Sequence, residues 1–195
     1  MKARQLLVFF VGVAVVIASV VALAAYFSQK APPDRSEISQ LGGDFTLQAD
    51  TGTVALQDFR GKVVLLFFGY THCPDVCPTT MNNLGLAFSE LSAQELAKVQ
   101  GLFVTVDPER DSAAHLAEYV RFFHPNIKGL TGSLQQIKQV ARAYEVEFLK
   151  ESSDESYLMT HSSYLFVLDG NGKVVDMMGH NTPPAEIAAV IRKLI

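Results

Sequence analysis

Two cysteines and a distant histidine carry the chemistry this sequence can offer. Cys73 and Cys77 are the only cysteines among 195 residues, and they sit in the run Gly69-Tyr70-Thr71-His72-Cys73-Pro74-Asp75-Val76-Cys77-Pro78. If the residues between them are roughly helical, side chains four apart point the same way, and one ion can bridge both sulfurs. The same spacing brings the Cα atoms near the roughly 4.4 to 6.8 Å that a disulfide needs, so the pair can alternate between bridge and chelate. A purely structural disulfide is compatible with an oxidising compartment. Closing so short a loop stabilises far less than the about 3 kcal/mol of a 15-residue loop, which argues for a reactive pair. Pro78 must lie in a first helical turn, because deeper in a helix it would remove a hydrogen bond and clash. Cys77 is then at or beside the cap, where unpaired N–H groups favour a thiolate.

The elements around this turn must hold it. Val63 to Phe68 (VVLLFF) is a continuous apolar run bounded by Gly61-Lys62 and Gly69, the pattern of a central strand covered on both faces. Thr79 to Leu91 predicts a helix, with Met81, Leu84, Phe88 and Leu91 at spacings of three and four. A second buried strand, Gly101 to Val106, ends at Asp107-Pro108. Helices are predicted over Ser112 to Phe123 and over Ser133 to Tyr144, the latter capped by Ser133. Phe45 to Leu47 and Val54 to Leu56 flank an Asp50-Thr51-Gly52 turn, and Ser163 to Leu168 and Lys173 to Met178 flank Asp169-Gly170-Asn171-Gly172, so two hairpins are expected. Glu145 to Lys150 predicts a short strand, Glu151 to Ser156 an exposed loop, and Pro183-Pro184 opens a last helix to Ile195. This order describes an α/β, thioredoxin-like sandwich with a mixed central sheet and helices on both faces.

A metal needs a further ligand, and five histidines are available: His72, His115, His124, His161 and His180. His161 immediately precedes the strand Ser163 to Leu168. In a thioredoxin-like fold the loop entering that strand faces the cysteine turn, so His161 is the candidate third ligand, against the reading of an ordinary loop histidine. Two thiolates and an imidazole form a soft set suited to Cu(I), and the affinity order also favours Cu(II) over zinc, although Cys2His with water is a known zinc arrangement. His72 should diverge from its neighbour Cys73 and act outside the ligand set. His115 and His124 are expected to be solvated or packed, and His180 is unplaced. Met159 can serve as a weak thioether ligand or as core. Asp107 is read first as a turn-starting carboxylate and second as a residue of the metal rim.

Composition narrows the setting. All 20 acidic residues lie after residue 30 with 13 of the 16 basic ones, leaving a formal charge of −7 there, which argues against nucleic acid as a partner. Leu6 to Phe27 contains 22 residues and no charge, enough for a helix of about 33 Å against a hydrocarbon core of about 30 Å. Lys2 and Arg4 precede it, so the positive-inside bias sends the remainder across the membrane. Residues 1–30 are thus read as an N-terminal anchor with one transmembrane helix, residues 31–40 as a Pro-containing linker and 41–195 as the domain. A cleaved signal peptide is the alternative, with Ala22-Leu23-Ala24 as its small-x-small triplet, but its apolar core would be unusually long. The expected address is a bacterial inner membrane with the domain in the periplasm.

The anchor, GYTHCPDVCP after a buried strand, VDPERD after the next, and THSS before a hairpin together resemble the Sco/SenC proteins from about residue 40 to the end. The resemblance implies a thioredoxin-like, membrane-anchored copper metallochaperone that helps assemble the binuclear copper site of cytochrome c oxidase subunit II. Carried over by position, the copper ligands are Cys73, Cys77 and His161. Many relatives place an acidic residue directly before the histidine, where this chain has Thr160. The implied partners are subunit II and a further copper donor or thiol reductant. A second reading is a thiol-disulfide reductase that keeps the acceptor's cysteines reduced, one of Cys73 and Cys77 attacking and the other resolving. A peroxidase of the peroxiredoxin type ranks behind both, because paired cysteines with a distal histidine are better explained by metal.

Overall fold

The computed structural model describes residues 5, 10–21, 38–152 and 156–195. They belong to two compact units, Met1–Asp34 and Arg35–Ile195. In the first, residues 10–21 are helical and exposed, and Ser19 Oγ donates to the Val15 carbonyl at 2.9 Å, satisfying its hydroxyl within the helix. Of the expected span Leu6 to Phe27, residues 6–9 and 22–27 lie outside the described residues, and among the described residues no helix is long and apolar enough to cross a membrane. Residues 31–37 of the expected linker and 153–155 of the expected loop also lie outside them. Ile38, three residues ahead of Leu41, is already part of the core.

The second unit is built on the two apolar runs. Val63–Gly69 (β3) and Val99–Thr105 (β4) are buried at every position, because each is an interior strand with side chains covered on both faces. They pair in parallel, Phe67 opposite Phe103. Tyr164–Leu168 (β8) runs antiparallel on the other side of β3, followed by Val174–Gly179 (β9), while Ile127–Leu130 (β5) extends the sheet beyond β4. The order β5-β4-β3-β8-β9 is the expected mixed sheet. The hairpin of Thr46–Ala49 (β1) and Gly52–Ala55 (β2) forms as predicted and is tied on by the Gln48–Thr131 bridge.

Alternation along β3 sends Phe67 and Phe68 to opposite faces. On the Phe67 side, Tyr119 packs 5.4 Å from the Phe103 ring and belongs to Ala113–Phe123 (α3). Val76–Ser89 (α1) packs against α3 and against the last helix, Pro184–Leu194 (α5), and the short Ala93–Leu96 (α2) lies beside β4. On the Phe68 side, Tyr144 packs tilted against Phe68 with centroids 5.6 Å apart and edge-on to Phe166 at 5.4 Å, at the end of Leu134–Ala143 (α4). Each aromatic ring so buried contributes about 1.5 to 3 kcal/mol relative to exposure. Ser133 caps α4 as expected, in a box with Gln136.

One departure bears on chemistry. His161 is not in a loop. It ends Met159–His161 (β7), which pairs antiparallel with Phe148–Lys150 (β6), His161 opposite Phe148. Three residues with a polar centre are too short to show a period, so this ribbon escapes pattern reading. It is a separate two-stranded sheet beside the central five.

Candidate metal centre

The turn after β3 is shaped by what the strand leaves no room for. At Gly69 a Cβ would lie 2.8 Å from Cys77 Sγ and 2.9 Å from Phe67 Cε1, so only glycine lets the buried thiol sit against the strand end. Gly69→Ala must push the sulfur or the ring aside, at about 1 to 3 kcal/mol of stability. The expected result is a lower denaturation midpoint together with weaker metal uptake; an unchanged midpoint would show that the site has slack.

Beyond Gly69, Tyr70 is buried, its carbonyl accepts from Cys73 N at 3.3 Å, and α1 begins at Val76. Pro78 falls in the first turn, as expected. Asp75 occupies the cap position without a capping side-chain bond. The sulfur of Cys73 takes that place and accepts from Cys77 N at 3.4 Å. A helix start thus presents an N–H to a sulfur, which favours the anionic form.

The two thiols are unequal. Cys73 is half-buried and Cys77 wholly buried. A hydrogen bond from the Cys77 thiol, helped by His161 and by the backbone N–H groups of Cys77 and Asp75, lowers the Cys73 pKa to about 3 against the opposing effect of burial. Cys77 is pushed up, first by keeping its proton in that bond and then by burial. At neutral pH the pair is one thiolate and one thiol. Filling the site at neutral pH with a metal that takes both sulfurs therefore releases about one proton from the thiols, and apparent affinity rises about tenfold per pH unit from pH 7 upward. Calorimetry in buffers of different ionisation enthalpy measures this count; two protons released at pH 7 would contradict the asymmetry.

His161 closes the group. Its Nδ1 donates to the Ser162 carbonyl at 2.9 Å, which turns Nε2 toward the sulfurs, 3.4 Å from Cys77 Sγ. This is the tautomer control found for metal-ligating histidines. Phe67 and Tyr70 pack edge-on to the ring at 6.1 and 5.9 Å and fix its plane. The two sulfurs and a ring nitrogen lie within 4.8 Å of one another, a group able to hold a metal ion with a modest contraction.

Two clamps hold the parts together, and neither shows in a local sequence pattern. Asp111, with no exposed surface, accepts from Thr71 N at 3.1 Å, Thr71 Oγ1 at 2.5 Å and Thr105 Oγ1 at 2.7 Å, fastening the cysteine turn to the end of β4. Asp107 starts its turn as expected, its carbonyl accepting from Arg110 N and Asp111 N, but its side chain does more. It binds Arg110 at 2.5 Å and accepts from Tyr157 Oη at 2.7 Å. Arg110 also donates to the Tyr157 carbonyl and lies 3.5 Å from that ring's centre, so the approach to β7 and His161 is anchored to the end of β4.

The other candidates separate. Met159 is buried in the ribbon opposite Lys150. His124 Nδ1 accepts from Asn126 N at 3.1 Å and its ring packs on Phe88, a packing role. The His180 carbonyl accepts from Thr80 Oγ1. His72 and His115 are exposed and turn toward Thr71, outside the cysteine and histidine group.

A model of the SCO1/SenC family matches residues 33–195. The chain is 42% identical over 155 residues to the mitochondrial protein SCO2 homolog of Bos taurus, covering 77% of this chain and 58% of that protein. It thus spans somewhat over half the length of such relatives. Among solved structures, copper-bound ScoI of Bradyrhizobium japonicum is similar with a TM-score of 0.73 at 34% identity, covering 80% of this chain and 99% of that one. Copper-bound ScoI of Arabidopsis thaliana gives a TM-score of 0.72 at 37% identity, covering 78% and 97%.

Proposed function

Since this chain belongs to the SCO1/SenC family, we propose that it is a copper metallochaperone, taking up copper on Cys73, Cys77 and His161 and delivering it to the binuclear copper site of cytochrome c oxidase subunit II. The observation that carries the reading is the convergence of two sulfurs and one oriented imidazole nitrogen within 4.8 Å. Two soft thiolates and an imidazole suit Cu(I), and the same set accepts Cu(II). Cys73 and His161 are partly open to solvent and Cys77 is buried, so an acceptor meets the ion from the Cys73 side and displaces ligands one at a time.

The uncharged run Leu6 to Phe27 supports placing the domain outside the cytoplasmic face of a bacterial inner membrane, held by a single N-terminal span. The test of function is titration of the reduced full chain with Cu(I) and with Cu(II). The expected result is one tightly held ion per chain with thiolate-to-copper absorption. No such signal with both thiols reduced would rule the chaperone reading out.

A second reading rests on the inequality of the thiols. Cys73, a thiolate at the rim, is built to attack a disulfide of the acceptor, and Cys77, protected beneath it, to resolve the mixed disulfide. In that exchange the acceptor's disulfide gains two electrons and becomes two thiols while Cys73 and Cys77 join as a disulfide. Turnover of an acceptor disulfide by the His161→Ala chain would favour this reading over metal delivery.

A further inference from the structure

The ribbon that carries His161 has one edge in use and one open. Its strand β6 pairs with β7 alone. Ser162 N donates to the Glu147 carbonyl and Glu151 N to the Leu158 carbonyl, so Glu147, Leu149 and Glu151 turn their peptide groups toward β7. The N–H and C=O groups of Phe148 and Lys150 therefore point outward, and among the described residues no other backbone group bonds them. Such an edge is a template for a further strand.

The chain reverses between α4 and β6 at Glu145, which has a φ of 52°, and a groove of about 700 Å³ lies between the two elements. Lys138 and Arg142 form one wall, Phe148 and Leu149 another, and the groove reaches His161. A second hollow of about 760 Å³ lies against the same two cations. Both are exposed, and neither is in an ion pair among the described residues. One acid, Glu147, faces them from the groove lining. Leu149 is 68% exposed beside them. Because the chain after residue 30 carries a formal −7, an anionic segment is repelled elsewhere and drawn to this side. The spacing also fits. Lys138 and Arg142 stand four helical residues apart, a rise of about 6.0 Å, and alternate residues of a strand are about 6.7 Å apart on one face.

We propose that β6 and the α4 face beside it dock an extended acidic segment of the copper acceptor, added to the ribbon as a third strand with its carboxylates on Lys138 and Arg142. The inference rests on the copper reading above and names the surface through which that site meets its acceptor. Main-chain bonds to Phe148 and Lys150 supply affinity in such an addition, and alternate side chains supply choice. Acids at every second position meet the two cations, and apolar residues between them cover Leu149. His161 lines the same groove, so the docked segment stands alongside the imidazole.

The probe is the blocked peptide acetyl-Asp-Val-Glu-Val-Asp-Val-Glu-amide, titrated into the reduced, copper-free full chain while amide hydrogen exchange is followed. The expected result is binding with slowed exchange at the Phe148 and Lys150 amides. Affinity should fall about 10-fold or more in Lys138→Glu/Arg142→Glu, and by as much for a peptide with Lys at every acidic position. Both replaced side chains are exposed, so the double variant should keep the denaturation midpoint of the unaltered chain. No binding at millimolar peptide, equal binding to the charge-reversed chain, or binding without slowed exchange at those two amides would overturn the groove. Copper transfer to the copper domain of subunit II distinguishes this failure from that of the chaperone reading. The double variant should bind copper as before and transfer it about 10-fold more slowly. An unslowed transfer overturns the groove and leaves the chaperone reading standing. Peptide binding as expected in an unaltered chain that delivers no copper overturns the chaperone reading and leaves the groove as a docking site for acidic strands.

Discussion

Replacing His161 with alanine is expected to weaken copper binding by more than about 100-fold, since loss of an outer-shell partner alone commonly costs 10- to 100-fold and this change removes a ligand. The fold should survive, because the ring lies at the rim and its removal strips edge-on contacts with Phe67 and Tyr70, one bond to the neighbouring Ser162 carbonyl and the contact with Cys77 Sγ. Competition against a chromophoric chelator with both thiols reduced measures the effect. An unchanged affinity would remove His161 from the ligand set. Cys73 should stay a thiolate in that variant, because the leading cause of its low pKa is the bond from Cys77 and not the imidazole.

Asp111→Ala is the largest expected change in stability. It takes the acceptor from a backbone N–H and two hydroxyls, one of them on Thr105, which has no exposed surface. Leaving such donors unmade costs about 1 to 3 kcal/mol each where water cannot replace the partner, so a loss of about 3 to 5 kcal/mol is expected. Asp111→Asn, which keeps one oxygen, should lose less. Chemical denaturation gives the number, and copper affinity measured on the folded fraction should fall as well, because Thr71 fixes the turn that carries Cys73. A loss of stability with unaltered affinity would show that the turn keeps its shape unaided.

The parts of this molecule written in short-range patterns were legible in the sequence. VVLLFF announces a strand with two covered faces, Pro78 places Cys77 near a helix start, and Asp169-Gly170-Asn171-Gly172 marks a hairpin. The ligand candidates could be picked because cysteine and histidine have few rival uses at such positions. What escaped depends on distant partners. Ile127–Leu130 has four residues, with Lys128 and Gly129 diluting its apolar signal, and is a strand because β4 offers it an edge. Met159–His161 exists only through pairing with Phe148–Lys150. Asp111 and Arg110 read as surface charges of an ordinary turn, and nothing near them in sequence tells that Thr71 and Tyr157 will arrive.

The imidazole and the sulfurs are carried by separate hydrogen-bonded sheets. The thiols ride on a turn fixed between β3 and α1, while His161 ends a ribbon that shares no ladder with the central five strands. Swinging that ribbon aside breaks no rung of the main sheet; it has to undo the Arg110 and Tyr157 fastening and the Lys150–Glu109 ion pair and to draw Met159 out of the core. The imidazole side of the site can thus be unhinged and shut again with the central scaffold untouched, so filling or emptying it calls for no unfolding of the main sheet.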